Sequence, residues 1–333
     1  MSSDGAMLDT LEETEELRLE VRGPWQEAWR RFKKDRFAMF FLIIFGAFFL
    51  LAFSAQIVEL VQGDQASYAK SLGEMGYDFP DSHAAPTTKA FPLALFGLDW
   101  SGRSVLLRVY HGCKVAFLVG TCGGLLSVLI GMTLGLLAGF FGGWVDGLIV
   151  YLYSTVASIP YLLLMLAFAF ILKQGHFAEV YRESFLSSYL SLGLFNIILV
   201  IGMTSWVSLC RLVRAETMKV RELDFVQAAR SLGFGKFRIL FKHVLPNVFH
   251  LVIISFSLTF VIAIKTEVIL TFLGVGVDKE PSWGSMIAIA KNELMRGIWW
   301  PLAAAGGMLF LLTLSINYVG DALRDALDPK LKD

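Results

Sequence analysis

The sequence predicts an all-α membrane protein with six transmembrane helices. Hydrophobic residues make up 56% of its 333 residues and charged residues only 17%, whereas a typical soluble domain has about 25% charged residues. Six apolar runs each approach the length of about 20 residues that a helix needs to cross a bilayer. Equal numbers of basic and acidic residues, 29 of each, give no reason to expect nucleic-acid binding. Three scattered cysteines exclude a disulfide framework or a CxxC metal site.

The six apolar runs are the predicted spans. The first contains no charged residue before Glu59, and the third contains Pro160, which predicts a kink. Three glycines at four-residue intervals in the second span (Gly131, Gly135 and Gly139) indicate a seam where another helix packs closely, within this chain or in a partner. In chain order the predicted spans cover residues 37–61, 115–141, 145–172, 189–210, 248–277 and 300–320.

The N-terminal segment is acidic, which is the opposite of the basic start of a signal peptide. A short helix is predicted from Pro24, since proline is tolerated in the first turn of a helix. Trp25, Trp29 and Phe32 recur at i, i+4 and i+7 among five cations. This pattern predicts a helix at the membrane interface; the alternative is an ordinary basic flank to the first span.

Basic residues concentrate at the entrance of the first span and in the segment 211–242. The positive-inside rule places these segments in the cytoplasm, and an even number of spans then places both termini there. Arg103, Arg108 and Lys114, on the outer side, run against this assignment. The predicted organisation is a cytoplasmic tail and interfacial helix 1–36, a first transmembrane helix 37–61, an outer, periplasmic segment 62–114, a five-helix core 115–320 with a cytoplasmic loop 211–247, and a cytoplasmic tail 321–333.

The loop between the fourth and fifth spans carries signals for two short helices. Asp224 and Gln227 have the spacing of a capping box, which predicts a helix start at Phe225. Gly233 stands where a left-handed C-terminal cap is wanted. A second helix is predicted over 236–242, after which Pro246 opens span five.

This loop also places apolar residues among cations, which is typical of a surface that receives a partner protein. The residues are Phe225, Val226, Phe234, Phe237 and Ile239, and the small Ala228 and Ala229 would allow close approach. Alternatively, the same side chains pack against the ends of the protein's own spans. Their spacing alone does not decide between docking and packing.

The loop resembles the EAA loop of binding-protein-dependent ABC importer permeases, whose pattern is roughly EAA-x3-G-x9-I-x-LP. Residues 227–229, Gly233 and the pair Leu245-Pro246 match its EAA, glycine and LP positions, with Gln227 in place of the glutamate. His243 stands where isoleucine is usual, as in the dipeptide/oligopeptide branch of that family.

Four further segments are similar to the C-type permease of the dipeptide/oligopeptide/nickel branch. They match its WRRFxxNR start, its LGTDxxGRD segment, its SFLGLG…PSWG segment and its GDxLRDxLDP tail, at residues 29–36, 96–104, 271–284 and 320–329. The resemblance runs from about residue 25 to the end. It implies the type I ABC importer permease fold, with a cytoplasmic coupling-helix loop.

The resemblance also implies partners. Such a chain would form half of a translocation pathway with a second, B-type permease in the bacterial inner membrane, and a periplasmic or lipid-anchored solute-binding protein would deliver the solute. Two ATPases, which bind ATP and Mg, would contact the loop 222–242. The sequence contains no GxxxxGK[ST] phosphate loop, so no nucleotide site or cofactor is expected in this chain. The implied coupling residues are Asp224, Gln227, Ala228, Ala229, Gly233, Phe234, Leu245 and Pro246.

Lys265 and Glu267 are ionisable residues within the fifth predicted span. Charged groups there usually face protein or water, and a spacing of two residues sets them about 200° apart on a helix. They therefore line the translocation path or make helix contacts. An ion- or proton-coupled channel or carrier that uses them is the alternative function, but spans two to four are nearly free of charge. A membrane enzyme would need a polar cluster at one interface, which the segment 62–114 lacks.

A turn in the outer segment is predicted around Asp99, Gly102 and Arg103, with Asp99 accepting backbone hydrogen bonds. A direct contact between Arg103 and substrate is the less favoured alternative. The five histidines show no ligand spacing, so no metal site is predicted. The substrate is not determined by the sequence: dipeptides, longer peptides, nickel chelates and modified peptides remain open.

Overall fold

The computed structural model describes residues 24–62, 67–77, 84–89, 91–174, 176–277 and 280–327. The acidic segment 1–23 and the end of the predicted tail, 328–333, lie outside the described residues. Within the described ranges the chain is helical, without a β-strand; two isolated β-bridges occur in the outer segment. The predicted all-α class is confirmed.

The helices are named in chain order over the described part of the chain. The third and tenth each contain one π-helical turn, at Val119–Gly123 and Leu240–Val244. The helices are α1 Pro24–Lys34, α2 Arg36–Gln62, α3 Val105–Phe141, α4 Gly143–Ser158, α5 Tyr161–Lys173, α6 His176–Glu183, α7 Leu192–Thr204, α8 Trp206–Val220, α9 Asp224–Ser231, α10 Lys236–Phe272, α11 Trp283–Leu294 and α12 Trp300–Leu327.

Six membrane crossings result when the bent pair α4 and α5 is counted as one span. The other five are α2, α3, α10, α12 and the nearly continuous pair α7 and α8, each long and apolar enough to cross a membrane. The described residues therefore contain five spanning helices, or six with the bent pair, which agrees with the predicted six-span architecture. The first predicted span matches α2 within one residue at each end.

Four spans are longer than predicted, because charged residues end an apolar run without ending a helix. Helix α3 begins at Val105, so residues 105–114 of the predicted outer segment belong to a span. Its charged residues are paired: Lys114 Nζ lies 2.6 Å from Glu59 Oε2. Similarly, α8 continues to Val220 and α12 to Leu327, so the predicted loop and tail both begin too early.

The third predicted span is broken rather than kinked. Helices α4 and α5 meet at an angle of 93°. Pro160 disfavours helical geometry at the residue before it, and Ile159 is extended, with φ −89° and ψ 132°. The predicted distortion at Pro160 is therefore present, but a single continuous helix over 145–172 is wrong.

Pro246 is in the first turn of the α-helical stretch Leu245–Phe272, as predicted, but the fifth span itself begins earlier, at Lys236. The π-helical turn Leu240–Val244 directly precedes this stretch. A proline ring clashes with the carbonyl four residues earlier in an α-helix, and a wider turn at that position accommodates it. The predicted short helix over 236–242 is thus continuous with the fifth span.

The glycine seam of α3 packs within this chain, against α8. A Cβ atom added at Gly135 would lie 2.8 Å from the carbonyl oxygen of Cys210 and 2.8 Å from Val213 Cβ. Gly131 and Gly139 approach the residues one turn earlier and later on α8 in the same way. The predicted close packing is confirmed, and the partner helix is identified.

The aromatic face of α1 divides between protein and exterior. Phe32 is buried with Ala38 of α2 and Ala326 of α12. Trp29 stays exposed, stacks on Phe32 at 5.7 Å and carries Lys33 Nζ above its ring at 5.2 Å. The predicted helix from Pro24 is present, but Phe32 packs on the chain itself and does not face the bilayer.

Candidate functional site

The candidate site runs from the end of α8 into the first turn of α10, and we call it the coupling loop (221–239). Its first helix, α9, begins at Asp224, one residue earlier than predicted. The predicted capping box is wrong, because Leu223 precedes the helix and no side chain caps it. Asp224 instead lies in the first turn, where its negative charge interacts favourably with the positive end of the helix dipole. The Gln227 amide turns back toward the carbonyl of Arg221, at 3.4 Å.

The end of α9 is fixed by a Schellman motif. Gly233 has φ +79°, as predicted for a left-handed cap. The N–H of Phe234 donates to the carbonyl of Ala229 at 3.2 Å, and the N–H of Gly233 donates to that of Arg230 at 2.9 Å. These two bonds set the direction in which the chain leaves α9 and so place Phe234 beside it.

One face of the coupling loop is part of the hydrophobic core. Val226, Ala229 and Ile239 are nearly inaccessible and pack in one cluster with Phe140 of α3 and Val213 of α8. Of the two alternatives that the sequence left open, Val226 and Ile239 therefore follow packing. They are buried because this part of the loop packs in one apolar cluster with α3 and α8, so the loop is anchored to the spans by apolar contacts.

The opposite face exposes large apolar side chains and one small residue. The exposed fraction is 74% for Leu232 and 63% for Phe237. The guanidinium of Arg238 lies 4.9 Å above the ring of Phe234. We call this surface the exposed apolar face; it consists of Phe225, Ala228, Leu232, Phe234 and Phe237. The sequence left open whether these side chains dock a partner or pack on the spans. In the structure one face of the loop packs on the spans and the other is exposed.

A cavity of about 490 Å³ separates the coupling loop from the end of α3. Phe140 and Phe234 form apolar walls, and the charged lining residues are Arg221, Glu222, Arg230 and Lys236. Arg221 Nη1 donates to the carbonyl of Gly139 at 3.0 Å and so satisfies a carbonyl at the C-terminal end of α3. The cavity is therefore bordered both by the buried side of the coupling loop, at Ile239, and by Phe234 of the exposed apolar face.

The remaining coupling residues belong to α10. Leu245 packs against the same apolar cluster as Val226 and Ala229, whereas Pro246 is exposed. His243 stacks near Phe234, with ring centroids 6.3 Å apart. The last two positions of the EAA-like motif, Leu245 and Pro246, therefore lie in α10, and Leu245 packs in the same cluster as α9.

An ion pair at this end of the molecule was missed by sequence reasoning. Arg214 Nη2 of α8 donates to Asp146 Oδ2 of α4 at 2.7 Å, with a second bond from Nε to the other carboxylate oxygen. The available signal was Asp146 itself, a single acidic residue early in an apolar run. Its partner lies 68 residues away, so no local spacing could have identified it.

The structure does not bring Lys265 and Glu267 together. Glu267 is 2% exposed and accepts a hydrogen bond from Thr271 Oγ1 at 2.9 Å. Lys265 is exposed on another side of α10, in a groove that it shares with Thr313 and Asn317 of α12. The two groups therefore belong to different environments.

The outer turn has the geometry predicted for it. Asp99 is 1% exposed and accepts backbone N–H bonds from Ser101 at 2.9 Å and Arg103 at 3.0 Å. Its Oδ2 atom also accepts from Arg103 Nε at 2.8 Å and Arg108 Nη1 at 2.7 Å. Gly102 has φ +72°. Both arginines are thus bound to Asp99, which stabilises the turn against the start of α3.

Comparisons with known proteins identify the family. The model of the binding-protein-dependent transport system inner membrane component matches residues 131–333, which include the coupling loop. The chain belongs to this family. A second model, the N-terminal transmembrane domain of oligopeptide transport permease C, matches residues 23–69.

Similar proteins cover nearly the whole chain. The glutathione transport system permease protein GsiD of Pectobacterium atrosepticum is 32% identical over 94% of this chain and 93% of its own length. The oligopeptide transport system permease protein OppC of Haemophilus influenzae is 32% identical over 95% and 92%. The dipeptide transport system permease protein DppC of Bacillus subtilis is 30% identical over 92% and 86%.

These findings confirm the resemblance drawn from the five motifs. The chain is a permease subunit of an ABC importer and a multi-pass protein of the inner membrane. An importer of this family includes partner permease and ATPase subunits. Family membership supports this function over the alternative of an ion- or proton-coupled carrier built on Lys265 and Glu267.

Proposed function

We propose that the chain is the C-type permease of a peptide importer and that its coupling loop receives the ATPases. The observation that carries this proposal is the two-sided coupling loop, with Val226, Ala229 and Ile239 in the core and a row of large apolar side chains exposed. Exposed apolar residues within a charged rim are typical of a protein interface. The peptide substrate class is supported by the names of the permeases from Haemophilus influenzae and Bacillus subtilis.

The packing of the loop explains how it can transmit movement. Helix α9 contacts the ends of α3 and α8 through buried apolar residues, and α10 begins only four residues after Leu232. A displacement of the exposed apolar face by closing ATPases would therefore move α10 and the helices beneath α9 together. Packed interfaces transmit such displacements because they are difficult to compress.

Each residue of the EAA-like motif has a proposed role in this account. Ala228 and Phe234 contact the ATPases, while Ala229 packs against the spans. Gly233 sets the turn, and Asp224 and Gln227 stabilise the start of α9. Leu245 and Pro246 connect the loop to the π-helical turn of α10.

The proposed assembly contains a second, B-type permease, two ATPases and a periplasmic or lipid-anchored solute-binding protein. ATP and Mg²⁺ bind to the ATPases, and this chain holds no nucleotide, cofactor or metal and contacts no nucleic acid. Cations in the segment 211–242 and at the entrance of α2 support a cytoplasmic location for the coupling loop and both termini. The role proposed for Asp99, Gly102 and Arg103 is structural.

Glu267 and Lys265 receive different proposals. Glu267 makes a helix contact, because it is buried and bonded to Thr271. Lys265 faces a protein or aqueous surface of the assembled importer, since a charged group at this depth is costly in lipid.

Affinity purification of the tagged chain from its native membrane tests this function. The expected result is recovery of a second six-span permease and of ATPases with Walker A sequences, identified by mass spectrometry. The purified complex, reconstituted in vesicles with its binding protein, should import Ala-Ala-Ala in an ATP-dependent manner. Purification of the intact chain without ATPases, or a complex that imports no peptide, would contradict the proposal.

A further inference from the structure

A helix break lies beside a continuous span in the membrane-spanning part of the chain. The break is the 93° bend between α4 and α5, at Ile159 and Pro160. Beside it lies Ser205, the residue between α7 and α8, where the backbone stays helical. The hydroxyl oxygens of Tyr161 and Ser205 are 2.8 Å apart and join the bend to this span through a hydrogen bond.

A cavity of about 490 Å³ opens at this junction. No charged side chain lines it among the described residues. Five hydroxyl groups do: Ser158, Tyr161, Thr204, Ser205 and Ser208. We call this cavity the hydroxyl niche.

The exposed hydroxyls of the niche can accept hydrogen bonds. Ser158 is exposed and its Oγ donates its proton to the carbonyl of Thr155 at 2.7 Å, whereas Thr204 is buried and its Oγ1 donates to the carbonyl of Val200 at 2.7 Å. A hydroxyl oxygen whose proton is used in this way still has lone pairs for an incoming N–H. Ser208 is exposed, and its hydroxyl can either donate or accept a hydrogen bond.

The backbone at the bend also needs polar surroundings. Pro160 has no N–H, and the first bond of α5 runs from the N–H of Leu164 to its carbonyl, at 3.0 Å. No side chain caps α5. Non-helical backbone at membrane depth is tolerated where it is buried in protein or lines a water-filled cavity. The bend borders an open cavity, so water or a polar solute can form hydrogen bonds with the backbone polar groups at the bend.

We propose that the hydroxyl niche binds the uncharged amide groups of a peptide during its passage through the membrane. The proposal rests on the proposed peptide-import function. Each peptide amide has one hydrogen-bond donor and one acceptor, and a hydroxyl can bond to either. Because no charged residue lines the niche among the described residues, this contact does not depend on ionised side chains of the peptide. Leu164, Val207 and Ile262 provide apolar walls for its side chains.

Cysteine protection in the reconstituted importer tests this binding directly. Ser208→Cys is introduced with Cys122→Ser, because Cys122 is an exposed native cysteine whereas Cys113 and Cys210 are buried. During ATP-driven turnover, Ala-Ala-Ala should slow maleimide labelling of Ser208→Cys at least threefold. The matched control is Thr155→Cys, one helical turn from Ser158 on α4 and outside the niche lining, whose labelling should not change. Equal labelling with and without peptide would overturn the proposal.

Two further outcomes keep the proposal falsifiable. If Ser208→Cys reacts in the isolated chain but not in the complex without peptide, a partner subunit covers the niche and the proposal is wrong. The double variant Ser205→Ala with Ser208→Ala should import Ala-Ala-Ala at least fivefold more slowly while it still binds its ATPases; normal import would also overturn the proposal. Failure of the peptide-import function would appear separately, as absence of import by the unmodified complex.

Discussion

Arg214 donates hydrogen bonds to both carboxylate oxygens of Asp146, and its Nη2 atom lies 2.7 Å from Asp146 Oδ2. The pair joins the first half of the broken span, α4, to α8, the helix that leads into the coupling loop. Bidentate arginine–carboxylate pairs fix orientation as well as distance. The base from which the coupling loop extends is therefore held by charge as well as by the apolar cluster around Val226.

Replacement of Asp146 by Asn should lower the stability of the purified chain. The side chains of Asp146 and Arg214 are only 22% and 24% exposed, so a lone arginine there would cost about 1–2 kcal/mol. The unfolding midpoint in detergent measures this loss. Lys219→Met removes a pair whose lysine is 72% exposed and should leave the midpoint unchanged. An equal effect of both substitutions would contradict a special role for the Asp146 pair.

Gly135→Ala should destabilise the chain because the seam between α3 and α8 has no space for a methyl group. The added Cβ would lie 2.8 Å from a backbone oxygen and 2.8 Å from Val213 Cβ, and the expected cost is about 1–3 kcal/mol. Gly147→Ala on α4 is the control, since its Cβ would meet nothing within 4 Å. Thermal unfolding of the two variants should differ clearly; a neutral Gly135→Ala would show that the seam is looser than the structure indicates.

Gly233→Ala should impair coupling without removing the chain from the membrane. Its Cβ would meet no atom within 4 Å, but the left-handed φ of +79° costs a residue with a side chain about 1–2 kcal/mol. The Schellman motif would weaken and Phe234 would shift. ATP-driven uptake of Ala-Ala-Ala should fall severalfold. Gly235→Ala, at φ −62° and with equal space, should transport normally; similar losses in both would refute the backbone explanation.

Glu267→Gln should retain import, whereas Glu267→Leu should lower stability. The amide oxygen of glutamine can still accept the bond from Thr271 Oγ1, but leucine leaves the proton of that buried hydroxyl without its acceptor. The unfolding midpoint and the uptake rate separate the two possible roles. Loss of uptake by Glu267→Gln in a stable, assembled complex would place Glu267 on the translocation path instead.

The sequence predicted what depends on composition and on local spacing. Apolar runs located six spans, four-residue glycine spacing located the seam, and Gly233 and Asp99 took the geometry that their residue types favour. It failed where distant residues determine the outcome. Whether Val226 and Ile239 are buried depends on the ends of α3 and α8. The bond between Asp146 and Arg214 depends on how α4 lies against α8.

Helix ends were the second kind of error. The second predicted span began after Lys114 and the fourth ended before Arg211, but buried or paired charges let α3 begin earlier and α8 continue further. Pro246 was placed at a helix start because its missing N–H does no harm there. Pro246 does lie in the first turn of the α-helical stretch Leu245–Phe272, but a π-helical turn joins that stretch to residues 236–239, and no residue pattern before Pro246 predicted that turn.

Retention of the ATPases by coupling-loop variants tests the central claim most directly. Leu232→Asp places a charge on the exposed apolar face at a side chain that is 74% exposed, so the fold should tolerate it. Val180→Asp makes the same kind of change on α6, which the proposed topology places on the opposite side of the membrane. The account predicts at least a tenfold loss of co-purified ATPase for Leu232→Asp and none for Val180→Asp, at equal membrane levels. Normal ATPase recovery with Leu232→Asp would contradict it.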